Sequence, residues 1–218
     1  MEITWLGHNA VRIKSGQSVL IMDPYSDASG LKVPPQLAQA NVVTVSGEDP
    51  DFSATSTISG DQPPTLINGP GEYEASNFRI KGTRTPAFAE GGEIAWNTVY
   101  SIELEGMIVS HLGNPGRLLT NREIEDLGSP HVLILPVGSK VGLSTEDSVE
   151  MVNAISPKVV IPVLYAHSGN SAELRELAPF LKGLGVTPEG SPNRTTITRA
   201  NLPEESSVTV LAPASVLM

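Results

Sequence analysis

The sequence predicts a layered α/β fold, two packed β-sheets with helices on the outside, and three observations carry that prediction. The first half holds short strand-like runs bounded by Gly, Pro, Asn, Ser or Asp, and the second half alternates strands with helical periodicity. Two late runs, Val132–Leu135 and Val159–Ile161, are apolar at every position. A strand that alternates apolar and polar residues has one covered face, whereas a wholly apolar one is covered on both. Two sheets flanked by helices accommodate both kinds.

The elements follow in order. Strands are expected at Ile3–Leu6, Val11–Lys14, Val19–Met22, Val42–Val45 and Leu66–Ile67, then at Asn97–Leu104 and Met107–Ser110. The segment from Ile3 to Ile67 should supply most of one sheet and that from Asn97 to Ile161 most of the other. Late strands are expected at Thr195–Thr198 and Val208–Leu211, which could pair as a hairpin. Thr120-Asn121-Arg122-Glu123 has the Thr and Glu spacing of a capping box and announces a short helix ending near Gly128. A second helix should start around Ser144 with Val149, Val152 and Ile155 on one face. A third should start around Ser171 with Leu174, Leu177, Leu181 and Leu184 on one face.

Composition narrows the function classes. The 218 residues are read as a single domain, 1–218, and no apolar run approaches the roughly 20 residues of a membrane span. The chain opens directly on a strand pattern, without a basic start and apolar stretch, so a cytoplasmic location is expected. There is no cysteine, which removes disulfides, thiolate metal sites and Cys nucleophiles. A net charge of −10 without a basic cluster argues against nucleic acid, whose binding comes mainly from Lys and Arg on phosphates.

Polar residues recur after the strands: His8, Asp23, Asp49 and Asp51, His111 and Asn114, then Tyr165 and His167. Loops at one end of a rigid sheet are where sites are built, although Asp and Asn after strands also simply make turns. A Ser–His–Asp set can be written from Ser46 or Ser110 with His111, but no Gly-x-Ser-x-Gly elbow is present. Adjacent strand residues such as Ser110 and His111 also point to opposite faces. Gly69-Pro70-Gly71 lacks the Lys and Ser/Thr of a phosphate loop and is read as a turn.

Seven segments in register carry a resemblance: Ile3-Thr4-Trp5-Leu6-Gly7-His8, Ile21-Met22-Asp23-Pro24, Gly69-Pro70-Gly71-Glu72-Tyr73-Glu74, Asn97-Thr98-Val99-Tyr100, His111-Leu112-Gly113, Leu135-Pro136-Val137-Gly138 and Val160-Ile161-Pro162. In this order the chain resembles small bacterial hydrolases of the metallo-β-lactamase fold, the branch that includes ascorbate-phosphate lactonase-like proteins. The resemblance implies a four-layer αββα sandwich with its site at one edge of the two sheets. It also implies a metal centre held by a His-x-His-x-Asp-His motif after the fourth strand, a later His, a bridging Asp and a last His. Such ligands bind Zn²⁺ or similar ions and make hydroxide available near neutral pH.

Carried over residue by residue, most of those positions are altered. Gly47 and Asp49 stand at the two leading His positions, Asp51 at the Asp and Phe52 at the closing His. His111 stands at the later His, Asn114 at the bridging Asp and Leu164 at the last His, with Tyr165 next to it. Gly, Phe and Leu side chains donate nothing to a metal. The leading expectation is therefore a non-catalytic hydrolase homologue serving as a binding or interaction module for a small molecule or a protein, with no cofactor. The alternative is a metal-dependent hydrolase of a small ester, lactone or phosphoester, with one Mn, Fe, Mg or Zn ion on Asp49, Asp51 and His111. His8 and Asp23 are expected to line the pocket, Asp23 by accepting backbone N–H bonds. His131 and His167 are expected at the surface or in turns, with His167 able to reach the pocket if its loop is rearranged. Assembly as a homo-oligomer is a further implication of the resemblance, and a membrane partner is not expected.

Overall fold

A computed structural model describes residues 1–49, 52–58, 62–88, 93–167, 170 and 174–215. The first sheet contains β1 (Glu2–Gly7), β2 (Ala10–Ser15), β3 (Ser18–Met22), β4 (Val42–Thr44) and β5 (Thr65–Ile67), with β12 (Thr195–Thr196) on its far edge, in the order β12-β1-β2-β3-β4-β5. The second contains β6 (Gly71–Ala75), β7 (Phe78–Phe88), β8 (Ile94–Leu104), β9 (Met107–His111), β10 (Val132–Pro136), β11 (Val159–Val163) and β13 (Ser207–Val208), in the order β13-β11-β10-β9-β8-β7-β6. Each sheet mixes parallel and antiparallel pairs. The layered α/β sandwich and the division of the chain between its sheets are as the sequence predicts.

Alternation along the strands decides what lies between the sheets. Ile3 and Trp5 of β1 and Leu20 and Met22 of β3 enter the main core, where they meet Ile80, Tyr100 and Ile102 of the second sheet. Leu6 and Ile21 point the other way and form a smaller core with Ala10, Tyr25, Leu31 and Leu37. That outer face is covered by 3-10 turns at Asp27–Ser29 and Pro35–Leu37, because Gly30 and the Pro34-Pro35 pair interrupt any longer helix. The α-helices lie with the second sheet: α1 (Asn121–Asp126), α2 (Thr145–Ile155) and α3 (Ala178–Leu184). Capping boxes at Thr120 with Glu123 and at Ser144 with Asp147 fix the starts of α1 and α2. No helix among the described residues is long and apolar enough to cross a membrane.

Two expectations are corrected and one hairpin is added. The third helix starts at Ala178, not near Ser171, a position outside the described residues. Pro179 occupies the first turn, where a missing N–H costs nothing. Upstream, the Arg175 N–H bonds Gly138 O and its carbonyl accepts from Ala166 N–H, so that backbone is already committed elsewhere. Leu174 and Leu177 still pack on the core, but ahead of the helix, Leu177 as the residue that caps its start. The late strands do not form a hairpin: β12 pairs antiparallel with β1 and β13 parallel with β11, each protecting one sheet edge. Finally, the Gly69-Pro70-Gly71 turn leads straight into the β6–β7 hairpin, which the polar, Gly- and Pro-containing sequence of β7 concealed. Gly82 is required there because a Cβ would lie 2.7 Å from Gly69 O, where the chain crosses from one sheet to the other.

Candidate functional site

The site lies where loops following β1, β3, β4 and β9 meet between the sheets. Its centre is Asp23, which directly follows β3 with φ 49° and is fully buried. Its Oδ2 accepts from Asn9 Nδ2 (2.6 Å) and Ser46 Oγ (2.6 Å), and its Oδ1 from Ser46 N–H (2.7 Å). Burial pushes the Asp23 carboxyl above the ordinary carboxylate range, opposed by the electrostatic attraction of the nearby His111 ring and by the Ser46 and Asn9 hydrogen bonds.

His111 ends β9 and is also fully buried. Its Nε2 lies 3.0 Å from Asn9 O, and Gly113 N–H donates to its Nδ1 over 3.2 Å. A carbonyl can only accept, so Nε2 carries the proton and Nδ1 the lone pair, and each already has a backbone partner. The neighbouring carboxylate is that of Asp23, 3.9 Å from Nδ1. On the opposite face of β9, Ser110 Oγ pairs with Ser101 Oγ at 2.9 Å, so no Ser110–His111 couple exists. The Ser46 hydroxyl is bound to Asp23 instead of an imidazole.

The other residues that the resemblance aligned with ligand positions do not complete a donor set among the described residues. Gly47 is partly buried, and a Cβ there would meet only Trp96 O, at 3.5 Å. Asp49 is exposed, with its carbonyl capping the turn through Phe52 N–H. Phe52 is buried in the main core, and Asp51 lies outside the described residues. Asn114 donates its N–H to Asn97 Oδ1 (2.8 Å), while its own Oδ1 is buried against Gly142 with no hydrogen-bond partner among the described residues. Between them Gly113 must stay glycine: at φ 65°, a Cβ would lie 2.2 Å from Asn97 Oδ1. Leu164 is buried at φ 53° and donates its N–H to His8 O (2.9 Å). No group of three or more His, Asp or Glu side chains able to hold a metal occurs among the described residues.

An aromatic cluster closes one side. His8, at φ 46° in the β1–β2 turn, sets its ring edge-on to Tyr25 at 5.2 Å, and its carbonyl also accepts from Trp5 Nε1. Tyr165 stacks on Trp5 at 4.7 Å, and His167 stands edge-on to the same indole at 5.3 Å. His167 is half-buried in a turn, as expected, where Asn170 N–H donates to its carbonyl, and its ring joins this cluster. His131 lies elsewhere, its Nδ1 accepting from Ile108 N–H. Burial, and secondarily the charge of His8, hold His167 below the ordinary imidazole range. A depressed histidine contributes stability that is complete above its unfolded value, near 6.5, and is lost as pH falls through that value toward the folded one. The melting temperature should therefore drop between about pH 7.5 and 5.5, and His167→Phe should flatten that slope. Equal slopes in both proteins, followed by differential scanning fluorimetry, would show that His167 is not the titrating group.

Sequence reasoning missed Asn9, Asn97 and Trp5, because short polar turn residues and a core indole carry no chemical signature of their own. Only the placement of Asn9 between Asp23 and His111 shows that it joins them.

The comparisons with known proteins agree with this architecture. The model of the β-lactamase superfamily domain matches residues 2–164. A UPF0173 metal-dependent hydrolase of Methanopyrus kandleri is 25% identical over 193 residues, spanning 76% of this chain and 84% of its own. Another of that name, from Methanoregula boonei, is 26% identical over 237 residues, spanning 89% and 100%. A solved structure from Thermotoga maritima, described as a candidate Zn-dependent hydrolase of the metallo-β-lactamase superfamily, superposes with a TM-score of 0.78. It is 28% identical and covers 96% of this chain and 97% of that one. With three-quarters of its length matched by the family model and both sheets in the corresponding arrangement, the chain belongs to the β-lactamase superfamily and has the metallo-β-lactamase fold.

Proposed function

We propose that this chain uses the hydrolase scaffold as a binding module for a small molecule or a protein, without the metal centre that the relatives' names imply. The observation that carries the reading is His111, whose two ring nitrogens are both engaged by backbone groups. A metal bond at either nitrogen would break one of those contacts and leave a buried backbone group unmet, at about 1–3 kcal/mol. Gly47, Phe52 and Leu164 offer no lone pair. The described residues therefore do not fit a family-type metal site.

A second reading has its own support. Each relative named above is called a metal-dependent or Zn-dependent hydrolase. These names favour a metal-dependent hydrolase over loss of catalysis, and the reading they support is a divergent hydrolase of a small ester, lactone or phosphoester with one divalent metal. The donor set argues the other way, and function follows the site more closely than the fold.

Metal analysis of full-length protein purified without chelators separates the two. The binding-module reading expects substoichiometric Zn, Mn and Fe, and no metal-stimulated hydrolysis of generic phosphodiester, ester or lactone substrates. One equivalent of metal, lost together with a hydrolytic activity in Asp49→Asn/Asp51→Asn, would establish the hydrolase instead.

A further inference from the structure

The β7–β8 hairpin is longer than the sheet it faces. Residues two apart on a strand share a face, and cross-strand partners share it too. Ile80 with Ile102 and Gly82 with Tyr100 therefore define one face, the one buried in the main core. Tyr100 reaches across to the first sheet, donating its hydroxyl to Val45 O. The same face continues outward through Arg84 with Thr98, Pro86 with Trp96 and Phe88 with Ile94. The last backbone bond from β8 toward the first-sheet side is Thr98 N–H to Ser46 O at 2.7 Å. Past it, no strand of the first sheet opposes the core-type pattern among the described residues: Ile94 is 75% exposed, Trp96 58% and Phe88 42%.

An exposed stripe of this kind is unlike scattered surface apolar residues. At about 150–250 Å² per fully buried aromatic side chain, these exposures leave about 300–400 Å² of contiguous apolar surface. That is the size of patch that usually has a use. Two copies placed face to face would bury about 700 Å² of it, the apolar centre of an interface of about 1,200–2,000 Å² once a polar rim is added.

The charges at its ends say what covers it. Arg84 lies at the inner end, its guanidinium 5.3 Å over the Trp96 ring, and exposed Glu93 lies at the outer end. A two-fold axis through the middle of the stripe brings Arg84 of one copy toward Glu93 of the other, twice, and stacks the two Trp96–Ile94 faces. In a chain of net charge −10, that self-complementarity offsets the repulsion between copies. We propose that this hairpin face is the contact through which two copies of the chain pair about a two-fold axis, in an isologous dimer. The inference stands independently of whether the strand-end site is catalytic.

Sedimentation of the full chain over roughly 1–100 µM tests it. The wild type should dimerise in that range, and Trp96→Glu should raise the dissociation constant at least about tenfold, as expected of a central aromatic. Ile94→Lys, at the most exposed position of the stripe, should do the same with an unchanged melting temperature, which separates lost pairing from lost folding. Arg84→Glu alone should weaken the dimer, and Arg84→Glu with Glu93→Arg should restore it. A monomer throughout the range, a dimer indifferent to both apolar variants, or failure of the double swap to restore pairing would overturn the proposal. A monomer that binds an apolar dye through Trp96 would overturn it too and make the face a ligand site.

Discussion

Asp23→Ala should destabilise the protein by about 3–5 kcal/mol, the largest single-site loss expected in this molecule, because each buried donor left unmet costs about 1–3 kcal/mol. Three donors lose their acceptor together: Asn9 Nδ2, Ser46 N–H and Ser46 Oγ. Alanine is also a poorer occupant of φ 49° than aspartate, whose side chain tolerates the left-handed region. For a chain of this size the melting temperature should fall by roughly 10 °C, at about 2–4 °C per kcal/mol. Asp23→Asn should be milder but not neutral, since its amide NH₂ must face a donor. The pH dependence has a definite sign. With the folded carboxyl raised by burial, this group's stabilising contribution is complete below its unfolded value, near 3.9, and is lost as pH rises through the folded one. Asp23→Asn should remove that component. Urea melts showing a loss under about 1 kcal/mol for Asp23→Ala would mean that the knot does not hold the four loops together.

Restoring the family's ligands should produce the largest functional change. A variant carrying Gly47→His, Asp49→His, Phe52→His, Asn114→Asp and Leu164→His should pass from substoichiometric zinc to at least one equivalent. The backbone admits much of this set. A Cβ at residue 47 meets nothing closer than 3.5 Å, and residue 164 already sits at φ 53°, where His is more at home than Leu. Zinc at about 100–1,000 times its dissociation constant should then stabilise the fold by about 3–4 kcal/mol. Any single replacement should do little, because the ligands act as a set. His111 should remain with Asn9 and Gly113 throughout, so adding His111→Asn should lower stability without lowering zinc occupancy. Failure of the five-fold variant to bind zinc would mean that the loops have moved away from the relatives' geometry.

Much of the fold was legible because apolar periodicity reports burial directly. The alternation of β1 and β3 and the unbroken apolar runs of β10 and β11 are consequences of which faces are covered. Residue chemistry is legible too: that Gly47, Phe52 and Leu164 carry no side-chain lone pair is read off the chain without coordinates. Element boundaries set by competing backbone partners were not legible. The non-helical course of the chain at Arg175 depends on Gly138 and Ala166, more than ten residues away or across a loop.

By itself, then, the sequence determined the two-sheet sandwich and the capped starts of α1 and α2, both of which rest on local pattern or residue chemistry. Only the tertiary structure decided what the surviving polar residues do. It joined Asn9, Asp23, Ser46 and His111 into one buried network and turned both nitrogens of His111 onto the backbone. It also left Phe88, Ile94 and Trp96, on the outer stripe of β7 and β8, exposed. These are outcomes of where loops far apart in the chain come to rest, and a hydrogen bond across 102 residues, such as that from His111 to Asn9, leaves no periodic trace in the sequence.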